Sequence, residues 1–349
     1  MNYHDVALLQ QRTEGARMRV SIETVAQHAG VSKATVSHVL NRTRFVSEAT
    51  EIRVRAAIDE LGYHPSDVAR SLKTKRTTTI AALVSDISNP FFTAVVRGIE
   101  DGLNENDYQV ILCNSDEDPG KEDRYLRAML AKRVDGLIIA PVGHANSFLR
   151  VIAQHIPTLC IDRGTPDLEL PVIGVDNEPA ARDAVAHLIG HGHRRIGAIV
   201  GLPKVSTSRE RLTGYERALR EAGIRVDPEL IHEGNSKVDG GTAAAREVFA
   251  LPDPPTAIFA SNNLMTLGVL KALDTLGRRC PDDVAVVGFD DHDWAGHFTP
   301  PLTVVRQPTY GLGKAAVGLL LRLIRGETVG HVAPMNAELI VRRSCGHHA

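Results

Sequence analysis

From Thr79 onward the chain alternates short apolar, β-rich runs with amphipathic stretches of helical period, and that alternation leaves few folds open. The runs are TIAALVSD, QVILCN, VDGLIIAPV, IPTLCID, VIGVD, RIGAIVG, LIHEG, AIFASN, VAVVGFDD and LTVVRQP. Helical stretches are expected between them at 91–106, 121–132, 178–191, 209–222 and 265–276. Repeated βαβ units predict α/β architecture, with parallel sheets covered by helices on both faces. Ten strands divide into two sets of five with a break near residues 176–179, which predicts a two-lobed body. Open lobes of this kind bind ligands at the C-terminal ends of their strands, in the cleft between them.

The N-terminal part differs in both pattern and charge. Residues 1–77 carry 12 Lys/Arg against 8 Asp/Glu, whereas the remainder carries 28 against 34. A basic first quarter on an acidic body suggests a nucleic-acid module joined to something else. With 349 residues the chain has room for two or three domains. Residues 1–19 are polar and read as a disordered extension, and Met18 is a candidate start just ahead of the first organised segment. No apolar run reaches membrane length, and the N-terminus has no signal-peptide pattern. The four cysteines, Cys113, Cys160, Cys280 and Cys345, are scattered, which fits a reducing compartment. A cytoplasmic protein with no membrane partner is expected.

Residues 20–64 read as an all-α headpiece of three short helices. Ser21 caps the first, with Ile22, Val25, Ala26 and Ala29 on its inward face. Gly30 supplies a turn and Val31 a plug. Ser32 caps the second helix, whose inward face is Val36, Val39 and Leu40. Ser47 caps the third, which offers Ile52, Val54, Ala57, Ile58 and Leu61 to the core before Gly62 ends it. The segment IETVAQHAGVSKATVSHVLN fits a helix-turn-helix. Its second helix presents Lys33, Ala34, Thr35, Ser37 and His38 outward, toward base edges in a major groove. Ser32, Thr35, Ser37, Asn41 and Arg42 are suited to phosphate contacts. Helix–turn–helix geometry also occurs in purely structural units, so this pattern alone leaves that alternative open.

Beyond it, VSKATVSHVLN, RFVSEAT, LGYHPSDVARSLK, NPFF, KRVDGLIIAP, HGHRRIGAIVG, GYERAL, VVGFDD and PPLTVVRQP follow in order across nearly the whole chain after residue 19. In these stretches the sequence resembles the lactose/galactose repressor (LacI/GalR) family, with a headpiece most similar to the purine and ribose repressors. The resemblance implies a transcription regulator, a repressor, that works as a homodimer on double-stranded DNA under control of a small-molecule effector. It implies a periplasmic-binding-protein-like body from 79 to 345, joined to the headpiece by a hinge helix and linker at 65–78. In the hinge, Ala69, Arg70, Leu72 and Lys73 would contact DNA, with Leu72 as an apolar wedge in the minor groove. Such a wedge favours a palindromic operator with an easily deformed central C-G step.

The body also resembles periplasmic sugar-binding proteins, especially the ribose type. Matching positions imply an effector site of Phe91, Phe92, Asp162 and Arg163 from the first lobe. Arg211, Asn262 and Asp290 would come from the second, and Gln307 from near a crossover. Carboxylates accept from vicinal hydroxyls while guanidinium groups donate in a fixed fork, and an aromatic ring walls the C–H face of a sugar. Each residue also has a plainer reading. Phe91 or Phe92 could be core, Asp162 could simply pair with Arg163, residues 290–293 could be a solvated acidic loop, and Asn262 could cap a helix. Two departures from the family pattern, near Ser236 and at Asn263, bear on the effector. A pentose or other sugar is expected first, and a purine or nucleoside is the alternative.

Other readings are weaker. His187, His191 and His193 have metal-like spacing, but HGHRRIG is how the resembled family enters a strand. No cysteine or carboxylate cluster accompanies them in the sequence, so no metal and no cofactor are expected. GLGKAAVG at 311–318 lacks phosphate-loop spacing and reads as the start of a helix near a dimer interface. No hydrolase or metalloprotease motif is present, so an enzyme is not expected. A sugar-binding transport protein is the rival from another class. It would share the body but would need export, and the headpiece argues against it.

Overall fold

A computed structural model describes residues 20–63, 76–143, 147–165 and 167–346. The chain divides into two units, residues 1–77 and 78–349. The expected N-terminal extension and the hinge residues Ala69, Arg70, Leu72 and Lys73 lie outside the described residues.

Among its described residues the first unit holds three helices, α1 (Ile22–His28), α2 (Lys33–Asn41) and α3 (Glu48–Leu61). Ser21 and Thr24 form a reciprocal capping box at α1, which satisfies backbone N–H groups that have no partner inside the helix. Gly30, at φ 64°, turns the chain where an L side chain would be strained. Ser32 caps α2 by accepting from the Thr35 N–H at 3.1 Å. Val25, Ala26, Ala29, Val36, Val39, Val54 and Ala57 form the core. Ile52 departs from the expectation. It is 61% exposed, because Val54 and Ala57 already set the inward face of α3 and Ile52 lies off it. Ser47 precedes α3 but makes no side-chain cap bond, and its hydroxyl meets that of Thr50 instead.

The second unit contains two sheets. The first has the order β2-β1-β3-β4-β5, made of β1 (Thr79–Val84), β2 (Gln109–Asn114), β3 (Gly136–Ile139), β4 (Thr158–Ile161) and β5 (Val172–Ile173), all parallel. Along β1 alternate residues face opposite ways. Ile80, Ala82 and Val84 enter one core with α4 (Pro90–Asn104), and Ala81 and Leu83 enter the other with α5 (Pro119–Lys132) and α6 (Ser147–Ala153).

The second sheet runs β11-β10-β9-β8-β6-β7. It comprises β6 (Ile196–Val200), β7 (Ile231–Glu233), β8 (Ala257–Ala260), β9 (Ala285–Phe289), β10 (Thr303–Arg306) and β11 (Glu338–Ile340). Helices α7 (Asn177–Gly190) and α8 (Ser206–Glu221) cover one face, and α9 (Val238–Phe249) and α10 (Asn263–Thr275) cover the other. All ten expected runs are strands, but the second sheet gains an eleventh, β11, antiparallel on β10. It is only three residues long at a sheet edge, too short to show a period in sequence.

Helix α11 (Thr309–Ile324) follows β10 yet returns to the first lobe, where Leu312, Ala316, Val317 and Leu320 enter its core against α4. The chain therefore crosses between lobes near residues 174–176, 307–308 and 325–337, and the backbone of Met335 pairs with Gly174 where two crossings meet. Of the glycines at 311–318, Gly313 serves this packing, opposite Gly98 of α4. A Cβ on Gly313 would stand 2.2 Å from the Val95 carbonyl oxygen, and one on Gly98 would stand 2.2 Å from that of Tyr310. Backbone cannot yield as a side chain does. Gly313→Ala is expected to destabilise the second unit by about 1–3 kcal/mol. The measure is the urea midpoint of that unit's transition in the full chain, and an unchanged midpoint would show that α4 and α11 separate without cost.

Candidate functional site

In the headpiece, Ser32, Lys33, Ala34, Asn41 and Arg42 are exposed, and Thr35, Ser37 and His38 are half-buried along the same helix. Several are held by their neighbours. Lys33 pairs with Glu23 at 2.7 Å, and the Asn41 amide donates to the Ser37 carbonyl at 2.8 Å. His38 Nδ1 stands 2.8 Å from the Thr43 hydroxyl. Phe45, in the loop after α2, was not singled out from sequence and is 97% exposed.

In the body, strands of each sheet end at the boundary between lobes, and polar residues follow directly. Ser85 and Asp86 follow β1, Asp162 and Arg163 follow β4, Ser261 and Asn262 follow β8, Asp290 follows β9, and Gln307 follows β10. These, with Phe91, Phe92 and Arg211 from helices, line a single cavity of about 50 Å³. All eight residues singled out by resemblance are therefore brought together at one place. Phe91 and Phe92 are both buried and meet edge to face, 4.9 Å between centroids, so one pair serves as core and as cavity wall.

The polar groups are closely partnered. Arg163 donates to the Pro141 carbonyl at 2.8 Å and to Glu117 Oε1 at 2.6 Å. Asp162 is farther from Arg163, at 3.8 Å, so the expected pair is secondary to the one with Glu117. Arg211 donates to Asn177 Oδ1 at 2.9 Å and to the Ser261 carbonyl at 2.7 Å, and its guanidinium lies 3.7 Å from the Phe289 ring centroid. Gln307 donates to Asp290 Oδ1 at 2.6 Å. Asn262 caps α10, accepting from the Met265 N–H at 2.7 Å, while also lining the cavity. Asp290 is buried, and Asp291 beside it is paired with Arg306 and Arg342, so neither stands in a solvated loop. Asp162 and Asp290 share a left-handed backbone, at φ 68° and 72°, a strain found where side chains are aimed into a site.

Among the described residues, hydrogen bonds join the lobes across the cleft. Lys237 pairs with Asp86, the Asn263 amide donates to Asn89 Oδ1 at 2.7 Å, and Lys204 donates to the Glu117 carbonyl at 3.3 Å. Burial pushes the Asp86 carboxyl up, but hydrogen bonds from Lys237 and Ser88 outweigh it and hold the group below the usual aspartate range. Sequence reasoning missed Asp86, Glu117 and Lys237. The acidic run 116–118 just after β2 was an available signal, since a strand's C-terminal end is where such residues reach a cleft. Two buried acceptor atoms of the cavity, Glu117 Oε2 and Gln307 Oε1, have no partner among the described residues.

Burial pushes Asp162 up to about 6, against the pull of Arg163 and Arg211. A carboxyl raised in this way holds its proton more tightly folded than unfolded. Stability therefore falls as pH rises from its ordinary 3.8 through about 6. Asparagine removes the charge and tolerates the left-handed backbone. Asp162→Asn is expected to stabilise the second unit by on the order of 2 kcal/mol at pH 7.5, with the gain fading below pH 6. Urea melts across pH 4–8 measure it, and a gain independent of pH would exclude the buried charge as its cause.

Outside the cleft the fold also alters the expectation for the histidines. His193 turns to the Thr256 hydroxyl at 2.9 Å, but a cysteine does accompany the other two histidines. Cys345, distant in sequence, is brought to 3.0 Å from His187 Nε2.

Comparison with known proteins agrees in outline. Residues 21–66 match the model of bacterial regulatory proteins of the lacI family, and residues 185–345 match a periplasmic binding protein-like domain. The HTH-type transcriptional repressor PurR of Photobacterium profundum is 40% identical over 327 residues, covering 93% of this chain and 98% of its own. The solved complex of the transcriptional regulator CelR with cellobiose is 36% identical, with a TM-score of 0.70 over 93% of this chain and 100% of that one. The lac repressor dimer bound to operator and the anti-inducer ONPF is 29% identical, with a TM-score of 0.82 over 94% and 99%.

Proposed function

From the premise that this chain belongs to the lacI family of bacterial regulatory proteins, we propose that it is a transcriptional repressor that binds operator DNA as a homodimer and senses a hydroxyl-rich small molecule, a sugar, in its inter-lobe cleft. The observation that carries this reading is the union, in one chain, of a helix-turn-helix with an exposed polar second helix and a polar cavity between two α/β lobes. Two copies of α2 in a symmetric dimer would enter successive major grooves of a palindrome. Lys33, Ala34, Thr35, Ser37 and His38 would face base edges, and Ser32, Asn41 and Arg42 would hold the backbone. Ala69, Arg70, Leu72 and Lys73 would read the minor groove at the palindrome's centre, where a C-G step deforms readily.

The unpartnered acceptors Glu117 Oε2 and Gln307 Oε1 favour a ligand that donates hydrogen bonds at more than one point. The carboxylates of Asp162 and Asp290 add acceptors, and Arg163 and Arg211 supply donors, a set suited to vicinal hydroxyls. Binding of cellobiose by the related regulator CelR supports a saccharide. The cavity, about 50 Å³, is far below the ~300–1,000 Å³ of typical ligand sites. Admission of a sugar therefore requires the cross-lobe contacts of Asp86, Asn89 and Glu117 to rearrange. That movement is the event that alters the spacing of two headpieces, and a coupling of ~1–3 kcal/mol is enough for a switch.

Two experiments test this. A thermal-shift screen of the full chain against pentoses, hexoses, oligosaccharides and purines is expected to give a sugar hit, because a ligand bound only to the native state raises its melting temperature. Asp290→Ala is expected to remove that shift while leaving operator affinity intact. A purine hit would overturn the sugar reading and keep the repressor. For the headpiece, Arg42→Ala is expected to weaken binding to operator and random DNA alike and to reduce the slope of log K against log salt by about 1. An unchanged slope would remove Arg42 from the phosphate contacts.

A further inference from the structure

Helix α7 places His187 and His191 one turn apart on the same side, with ring centroids 4.5 Å apart. Cys345 arrives from the other end of the chain. It is fully buried, and its Sγ lies 3.0 Å from His187 Nε2. One ligand atom from each of the three residues can be chosen so that all lie within 4.8 Å of one another. We propose that His187, His191 and Cys345 form a metal site for a zinc-type divalent cation, independent of the effector cleft and of the DNA surface.

The donor set and its framework both support this. Two imidazole nitrogens and a thiolate suit zinc, with metal–nitrogen distances of about 2.0–2.1 Å and a metal–sulfur distance of about 2.3 Å. Tetrahedral bonds of that length separate donor atoms by roughly 3.3–3.6 Å. The histidine–cysteine pair is already inside that separation, and the remaining gap is small enough for a side-chain rotation to close.

The donors sit on two elements, α7 with its C-cap and the C-terminal segment, and the core fixes each of these. Next to Cys345, Ser344 is pinned between strands, its hydroxyl accepting from the Thr303 N–H at 2.8 Å and donating to the Val286 carbonyl at 2.7 Å. Helix α7 is anchored by buried Ala184, Val185 and Leu188. Such independent support is what fixes ligand geometry in advance of the ion. On binding, the Cys345 thiol gives its proton to solvent and the thiolate bonds the metal. The two imidazoles bind neutral, and the fourth position is left to water. The ion would clip the C-terminal segment to the helix that begins the second lobe.

The test is a Co²⁺ titration of the reduced, full-length protein, followed by Zn²⁺ competition. One equivalent of Co²⁺ per chain is expected to give a thiolate-to-cobalt charge-transfer band with the visible absorption of a tetrahedral ion, and Zn²⁺ should bleach both. Cys345→Ser should lose the charge-transfer band. Because Cys345 is buried, His191→Gln, at a half-exposed position, provides a second variant in which the tetrahedral absorption should be lost with the circular dichroism unchanged. The double variant His347→Ala/His348→Ala should keep the signal. A wild type without the band, a band that survives Cys345→Ser, or a signal lost in the tail variant alone would each overturn the assignment.

Discussion

A parallel sheet aims its strands one way, so their C-terminal ends open on a common edge and whatever follows them is gathered there. Here the two sheets present such edges to each other, and the residues after β1, β4, β8, β9 and β10 line one cavity. The long-range arrangement depends on this constraint. It explains why residues from positions 85 to 307 meet, and why the helices, with their apolar faces, lie on the sheet faces away from that edge.

Charge in the cleft must then be balanced without bulk water. Asp86, Glu117, Asp162 and Asp290 share the cavity with Arg163, Arg211 and Lys237. Most of these are neutralised locally, Glu117 by Arg163 and Asp86 by Lys237. Asp162 is less well served, at 3.8 Å from Arg163, and burial raises it. The same shortage of partners leaves Glu117 Oε2 and Gln307 Oε1 unsatisfied. A cavity with unpartnered acceptors selects for a molecule that brings donors, which joins the electrostatics of the fold to the chemistry of the ligand.

The three chain crossings add a mechanical condition. Helix α11 closes the core of the first lobe although it follows the second-lobe strand β10, so neither lobe is complete from one continuous stretch. The glycine contact of α11 with α4 holds that return in place. Motion between lobes is therefore confined to three short segments, two of which are already joined through Met335 and Gly174.

Local and periodic features were legible in the sequence. Short apolar, β-rich runs marked ten strands, and Ser21, Ser32 and Gly30 marked the headpiece turns. Family likeness then singled out eight residues that one cavity brings together. What sequence could not reveal was pairing at a distance. Glu117 as the partner of Arg163, Lys237 reaching Asp86, Asn263 meeting Asn89, β11 on the sheet edge and Cys345 beside His187 each join residues far apart in the chain. Propensity and spacing act over a turn of helix or a strand, and so the sequence by itself determined the elements, their order and the chemical character of the cleft. Which side chain neutralises which, and which atoms are left for a ligand, was decided only when the lobes closed on each other, because Coulomb and hydrogen-bond energies depend on distances that folding alone sets.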